Sequence, residues 1–167
     1  MSHLFPSEET TQPNYWRDCK RLLPHALVCI TLSEQWDIDR ALRITLINHV
    51  AAYLSNCAHY NEAEPLLRRA IEIGEQATNC GHVIVAETLH NLGLLYLKQG
   101  KYEQAEAIHR QMLELRTKLL GAEHPNTLHS MNNLALVLDN QGKYEEAETM
   151  HRQTLELRTK VLGAEHL

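Results

Sequence analysis

Apolar residues recur along this chain in blocks, each at the spacing of one helix face. Ala105, Ile108, Met112, Leu115 and Leu119 mark one stripe, and Leu128, Met131, Leu134, Ala135 and Leu138 mark the next. Steps of three and four are those of an amphipathic helix, not of a strand. Gly100, Gly121, Gly142 and Gly163 punctuate the blocks at intervals of 21 residues, and Gly81 stands close to that rhythm. Glycine lets a chain leave a helix through a left-handed conformation. The pattern therefore predicts amphipathic helices joined by tight turns, with every glycine of the series ending a helix.

The blocks are also copies. Lys101–Pro125 and Lys143–Leu167 agree at 19 of 25 positions without a gap, an offset of 42 residues. Another step of 42 brings "HYNEAEPLLRRAIEI" from His59 under "KYEQAEAIHRQMLEL", with Tyr60, Ala63, Glu64, Arg68 and Glu72 preserved. "NHVAAYLSNCA", "HNLGLLYLKQG" and "NNLALVLDNQG" align the same way from Asn48, His90 and Asn132. One unit is thus two helices, and about three units are present. On the polar side Glu106, Arg110, Glu114 and Lys118 alternate in sign at steps of four, repeated as Glu148, Arg152, Glu156 and Lys160. Such pairs are each worth about 0.3–0.5 kcal/mol and predict a face turned to water.

Composition sharpens this only a little. With 5% aromatic residues, 7 glycines and 5 prolines in 167 residues, the core must be mostly aliphatic and a turn-rich β architecture is disfavoured. The formal charge of −5 disfavours a general nucleic-acid binder. Cys19, Cys29, Cys57 and Cys80 form no CxxC pair, and no secretory signal opens the sequence. They are expected as reduced, mostly buried thiols of an intracellular, cytoplasmic protein. The longest apolar run, "ALVCITL" at 26–32, is too short to span a membrane.

The series Leu89, Leu92, Gly93, Tyr96, Gly100, Tyr102, Ala105 resembles the tetratricopeptide signature. The neighbouring units repeat it as Met131, Leu134, Ala135, Leu138, Gly142, Tyr144, Ala147 and as Ile47, Val50, Ala51, Leu54, Ala58, Tyr60, Ala63. The small residue at 51, 93 and 135 suits a close helix–helix approach, and the tyrosine after the turn is expected to fill the space between helices. The 42-residue period, "YEEAE" and "LGAEHP" resemble the kinesin-light-chain type of repeat, the added length being assigned to the second helix and the following connection. The resemblance implies an all-α fold, a right-handed α-α superhelix of about three helix pairs covering 39–80, 81–122 and 123–167. Pro65, one turn into a helix, and Gly74, read as lying inside another, suggest a looser second helix in the first unit.

Residues 1–14 are polar with two prolines and are expected to be a disordered tail. Within the segment 15–38, residues 15–32 are apolar on a helical period, interrupted by Pro24. A kinked capping helix, or two short ones, is expected there, with Trp16, Leu22, Leu23, Leu27 and Ile30 covering the first repeat. "YWRDCKRLLPHAL" also resembles the segment joining a nucleotide-binding domain to its repeats in fungal NOD-like receptors, although no P-loop is present.

Nothing in the sequence announces catalysis or a cofactor. Most of the eleven histidines travel with the repeat, as His82, His124 and His166, or His109 and His151. Residues multiplied along a solenoid form rows, not the converging cage of a metal site. His124, before Pro125, reads as a helix-entry residue.

The resemblance instead implies a groove lined by the first helix of each unit. Its candidates are Thr45, Asn48, His49 and Ala52; Glu87, His90, Asn91 and Leu94; and His129, Asn132, Asn133 and Leu136. Side-chain amides supply donor and acceptor together, so such a row can hold an extended peptide; the same asparagines can also serve only to bond neighbouring helices. The expected function is a non-enzymatic scaffold binding a protein or peptide partner. The alternatives are a sensing or autoinhibitory region of a larger receptor of the STAND type, and a helical-repeat RNA binder, which the charge disfavours. The last helix, 144–162, has a face that either further repeats or another chain would cover, and self-association or poor solubility is expected there.

Overall fold

The computed structural model describes residues 13–36, 39–76 and 81–165. Seven helices account for nearly all of them: α1 Pro13–Gln35, α2 Arg40–Asn56, α3 Tyr60–Glu75, α4 Gly81–Lys98, α5 Tyr102–Leu120, α6 Pro125–Asn140 and α7 Tyr144–Glu165. No strand occurs among the described residues. Of the expected tail, residues 1–12 lie outside the described residues, while Pro13 and Asn14 already belong to α1. Proline is acceptable at a helix start because its missing N–H would have no partner there. Pro24 does not divide α1, which continues through it as one helix. The helix pairs of the three repeats have 17 and 16, 18 and 19, and 16 and 22 residues.

The three turns within repeats share one hydrogen-bond pattern. Lys101 N–H donates to the Tyr96 carbonyl at 2.9 Å and Gly100 N–H to that of Leu97 at 3.0 Å. Lys143 with Leu138 and Gly142 with Asp139 repeat it at 2.9 Å each; His59 with Leu54 and Ala58 with Ser55 repeat it at 2.9 and 3.2 Å. This double bond satisfies the last carbonyls of a helix and requires a left-handed residue at its centre. Gly100 and Gly142 take φ 71° and 77°, and Ala58, in the same place, is forced to φ 61°. Gly121 is also left-handed, at 89°. It leads to His124, whose Nδ1 accepts from Asn126 N–H at 3.1 Å ahead of Pro125 and so caps α6. Gly163 departs from the expectation and stays inside α7. A glycine permits an exit from a helix without compelling one, at a cost near 1 kcal/mol relative to alanine when it remains helical.

The chain packs as two compact units, Met1–Asn91 and Leu92–Leu167, the division falling within α4. In the first unit α1 packs on α2, and α2 on α3. Cys19, Ala26, Ile30 and Ser33 form the buried stripe of α1, with Leu22, Leu23 and Leu27 half-buried beside them. The side chain of Trp16 lies outside the described set. Ile44, Ile47, Val50, Ala51 and Leu54 meet Ala63, Leu67 and Ala70 in the core. Pro65 and Gly74 fall in the same helix, α3, and Gly74 does not loosen it. A Cβ there would stand 2.2 Å from Val85 Cγ2, so the glycine is what lets α3 and α4 touch.

In the second unit α5 packs on α6 and α6 on α7. Leu134, Leu138 and Ala147 form a buried cluster with Leu113 and Met150 against it. The α6 stripe read from sequence is wholly buried. The α5 stripe is not, since Ile108 and Leu115 are half-buried and Leu119 in its last turn is exposed. Where the first repeat has Gly74, the second has Arg116, whose Nη1 donates to the Asn126 carbonyl at 3.1 Å and to Ser130 Oγ at 2.8 Å. A polar clasp thus replaces a close apolar contact at the same register. The tyrosine expected between helices behaves differently from copy to copy. Tyr60 and Tyr102 are half-buried, but Tyr144 is exposed.

The small residue of the signature faces a different partner in each copy. Against Gly93 lies the fully buried ring of His109, and a Cβ at 93 would approach its Nε2 to 2.5 Å. In the next copy the pair is Ala135 and His151, and the His151 side chain is 46% exposed. In the first it is Ala51 and Leu67, both buried.

Two outcomes follow. Ala58→Gly removes left-handed strain of about 1 kcal/mol and will raise stability by up to that amount in urea unfolding. Gly93→Ala will destabilise the chain by about 1–3 kcal/mol through overpacking. Adding His109→Leu, which copies the Ala51 and Leu67 pair, will recover part of that loss in a double-mutant cycle.

Candidate interaction surface

The residues at 129, 132, 133 and 136 follow the spacing that places side chains on one helix face. Their neighbours Leu128, Met131, Leu134, Ala135 and Leu138 are buried, which turns the four outward. His129 and Leu136 are exposed, Asn132 and Asn133 half-buried. Leu136 keeps 53% of its surface in contact with water, high for a leucine at the middle of a packed helix. His151 reaches the same face from α7, its Nδ1 3.2 Å from Asn132 Oδ1 and its Nε2 3.6 Å from Asp139 Oδ2. Asn140 Nδ2 donates to the Leu136 carbonyl at 2.7 Å. The surface is therefore an amide, an imidazole and a carboxylate beside one bare leucine. Sequence reasoning missed His151 and Asp139 as neighbours of Asn132, since their meeting depends on how α6 packs against α7.

In the first unit the candidates behave less uniformly. Thr45 is exposed, but its hydroxyl donates to the Ala41 carbonyl at 2.9 Å. His49 and Ala52 are half-buried. Asn48 does not face outward at all: it is 2% exposed and its Nδ2 donates to Thr88 Oγ1 at 3.0 Å. The Thr88 hydroxyl in turn donates to the Ile84 carbonyl at 3.0 Å. This corrects the groove assignment for Asn48, which bonds α2 to α4 because a buried amide must find a partner inside. On α4, Glu87 is exposed, and His90, Asn91 and Leu94 are half-buried.

The alternating charges are not all a solvated face. Arg110 with Glu106, Lys118 with Glu114, Arg152 with Glu148 and Arg68 with Glu64 pair along their helices at 2.6–3.1 Å. Glu106, however, is only 14% exposed and is reached from elsewhere. Lys143 Nζ donates to its Oε2 at 2.8 Å, and Arg110 to its Oε1. Gln141 Nε2 meanwhile donates to the Tyr102 carbonyl at 2.9 Å. These contacts tie the start of α5 to the turn before α7. The Lys143 hydrogen bond above all, with help from Arg110 and Gln141 and against the effect of burial, holds the Glu106 carboxyl down at about 2 instead of 4.5. Elsewhere, burial and the neighbouring Cys57 push the Tyr53 phenol up to about 12. The expectation of mostly buried thiols fits Cys19 alone, since Cys57 is half-buried, Cys29 exposed and Cys80 outside the described residues.

Among the described residues no group of three or more His, Cys, Asp or Glu side chains converges as metal ligands. None of the described helices is long and apolar enough to cross a membrane.

The tetratricopeptide repeat family model matches residues 41–118 and, in an overlapping register, 85–160. That is well over half of the chain, and the chain belongs to the tetratricopeptide-repeat family. No curated protein sequence matches it. Among solved structures it is similar to BtubC (BKLC) from P. vanneervenii, with TM-score 0.69 and 19% identity over 93% of this chain and 60% of that one. It is also similar to a putative kinesin light chain with nearly identical TPR-like repeats from Podosopora anserina, with TM-score 0.73 and 19% identity over 89% of this chain and 71% of that one. The apo form of RapI gives TM-score 0.73 and 19% identity over 92% of this chain and 54% of that one. The chain thus spans little more than half the length of BtubC and RapI. The fold is the all-α helical repeat of kinesin-light-chain-like proteins.

At neutral pH the Glu106 contacts contribute about 1 kcal/mol, their partners being half-exposed. A carboxylate with a depressed pKa stabilises above its unfolded value and loses that contribution as pH falls through its folded one. Glu106→Gln will therefore lower stability at neutral pH, and the gap from wild type will close as pH falls from 4.5 toward about 2, read by urea unfolding at a series of pH values.

Proposed function

We propose that the chain is a non-enzymatic protein-interaction scaffold whose first-helix faces hold an extended segment of a partner protein. The observation that carries this reading is the outward face of α6. There Leu136 stands bare between Asn132, Asn133 and His129 on a helix whose other side is fully packed. An exposed leucine offers an apolar contact of about 25 cal/mol per Å² buried. Neighbouring amides supply both partners for a peptide backbone, the combination that an extended ligand uses. The family supports the reading at the coarser level, since tetratricopeptide repeats generally mediate protein–protein contacts. Glu87, His90, Asn91 and Leu94 on α4, and Thr45, His49 and Ala52 on α2, present further contacts of the same kind on their own helices. Asn48 is not among them.

The test is selection of binding peptides from a displayed random library against the full chain, followed by affinity measurement on two variants. Leu136→Asp and Asn133→Ala will each weaken the selected peptides at least tenfold, and Leu136→Asp will do so with unchanged thermal melting because its side chain is exposed. Peptides that bind both variants as tightly as wild type would place the interaction elsewhere and overturn this reading.

A further inference from the structure

A recess lies in the second unit. It measures 410 Å³, is largely open to solvent, and has Leu138 and Met150 as its floor. Arg110, Glu145, Glu146, Thr149 and Gln153, all exposed, form its rim. None of the twelve groove candidates lines it.

The repeat supplies an internal comparison for its contents. Leu138 stands 42 residues after Tyr96, one of the largest fully buried side chains of the chain. Lys101 Nζ lies 5.6 Å from the centre of the Tyr96 ring. In the next copy the aromatic ring is missing, and the lysine's counterpart, Lys143, is bonded instead to Glu106 at 2.8 Å. Beside Leu138 the third copy has Met150 where the second has Ile108, an unbranched thioether in place of a branched hydrocarbon.

The chemistry around the recess suits the group that the repeat has lost. A methionine sulfur makes favourable contacts with aromatic rings. The Arg110 guanidinium, held by Glu106 at 2.8 Å and by Glu146 at 3.5 Å, is a cation at the rim able to face such a ring. Glu146 and Gln153 can accept from a phenolic hydroxyl, which an aliphatic side chain does not offer. We propose that this recess receives one tyrosyl side chain from a protein partner, taking up the aromatic role that Tyr96 fills within the preceding copy.

The probe is N-acetyl-L-tyrosinamide, titrated into the isotope-labelled full chain with N-acetyl-L-leucinamide as comparison. Amide shifts centred on Leu138, Thr149 and Met150, with at least fivefold tighter binding of the tyrosine compound, are expected. Leu138→Tyr, which restores the residue of the preceding copy, will abolish those shifts. Thr149→Trp closes the recess from its exposed edge and gives the same answer if Leu138→Tyr does not fold. Equal binding of the two compounds, absence of shifts in the wild type, shifts centred on residues 129–136, or shifts that persist in the folded variants would each overturn the proposal.

Discussion

The approach of paired helices at one small residue governs much of what surrounds it. At 51, 93 and 135 the signature has Ala, Gly and Ala, and the opposite helix answers in kind. Glycine leaves a space that His109 fills completely, while alanine at 135 is matched by a histidine turned toward Asn132 and Asp139. Beside glycine the histidine lies in the core; beside alanine, larger by one Cβ, its counterpart lies at the surface. Packing at crystal-like density makes so small a change matter.

The turns impose the second constraint. A helix pair can fold back only if one residue turns left-handed while two carbonyls of the outgoing helix remain bonded. All three within-repeat turns meet this demand with the same two hydrogen bonds, including the one that has Ala58 instead of glycine. That alanine tolerates a positive φ shows how strongly the surrounding pair over-determines the turn. Around these fixed points the copies diverge. Gly74 brings α3 against Val85, Arg116 clasps Ser130 and the Asn126 carbonyl at the matching register, and Tyr96 gives way to Leu138. Repetition sets the interface, and local substitution gives each copy its own surface.

Much of this was legible from residue order because helical periodicity and the 42-residue offset are local properties of the chain. The stripe of α6, the left-handed roles of Gly100, Gly121 and Gly142, and the helix-entry role of His124 all appear where the pattern places them. Gly163 misleads because the residue type only biases the backbone, and a helix can continue through it. Asn48 misleads for another reason. Its counterparts His90 and Asn132 are half-buried on their helices, but Thr88 gives its amide a partner inside.

What the sequence determined by itself is therefore the element list, the repeat and the family, since these depend on spacing along one chain. Which equivalent residues end up inside or outside was decided only in three dimensions. The burial of His109, the exposure of His151, the gathering of Lys143 and Arg110 on Glu106, and the recess beside Leu138 all arise where side chains from different helices compete for one volume. Periodicity along the chain says which face of a helix is covered; the outcome of that competition is set by the shape of what covers it.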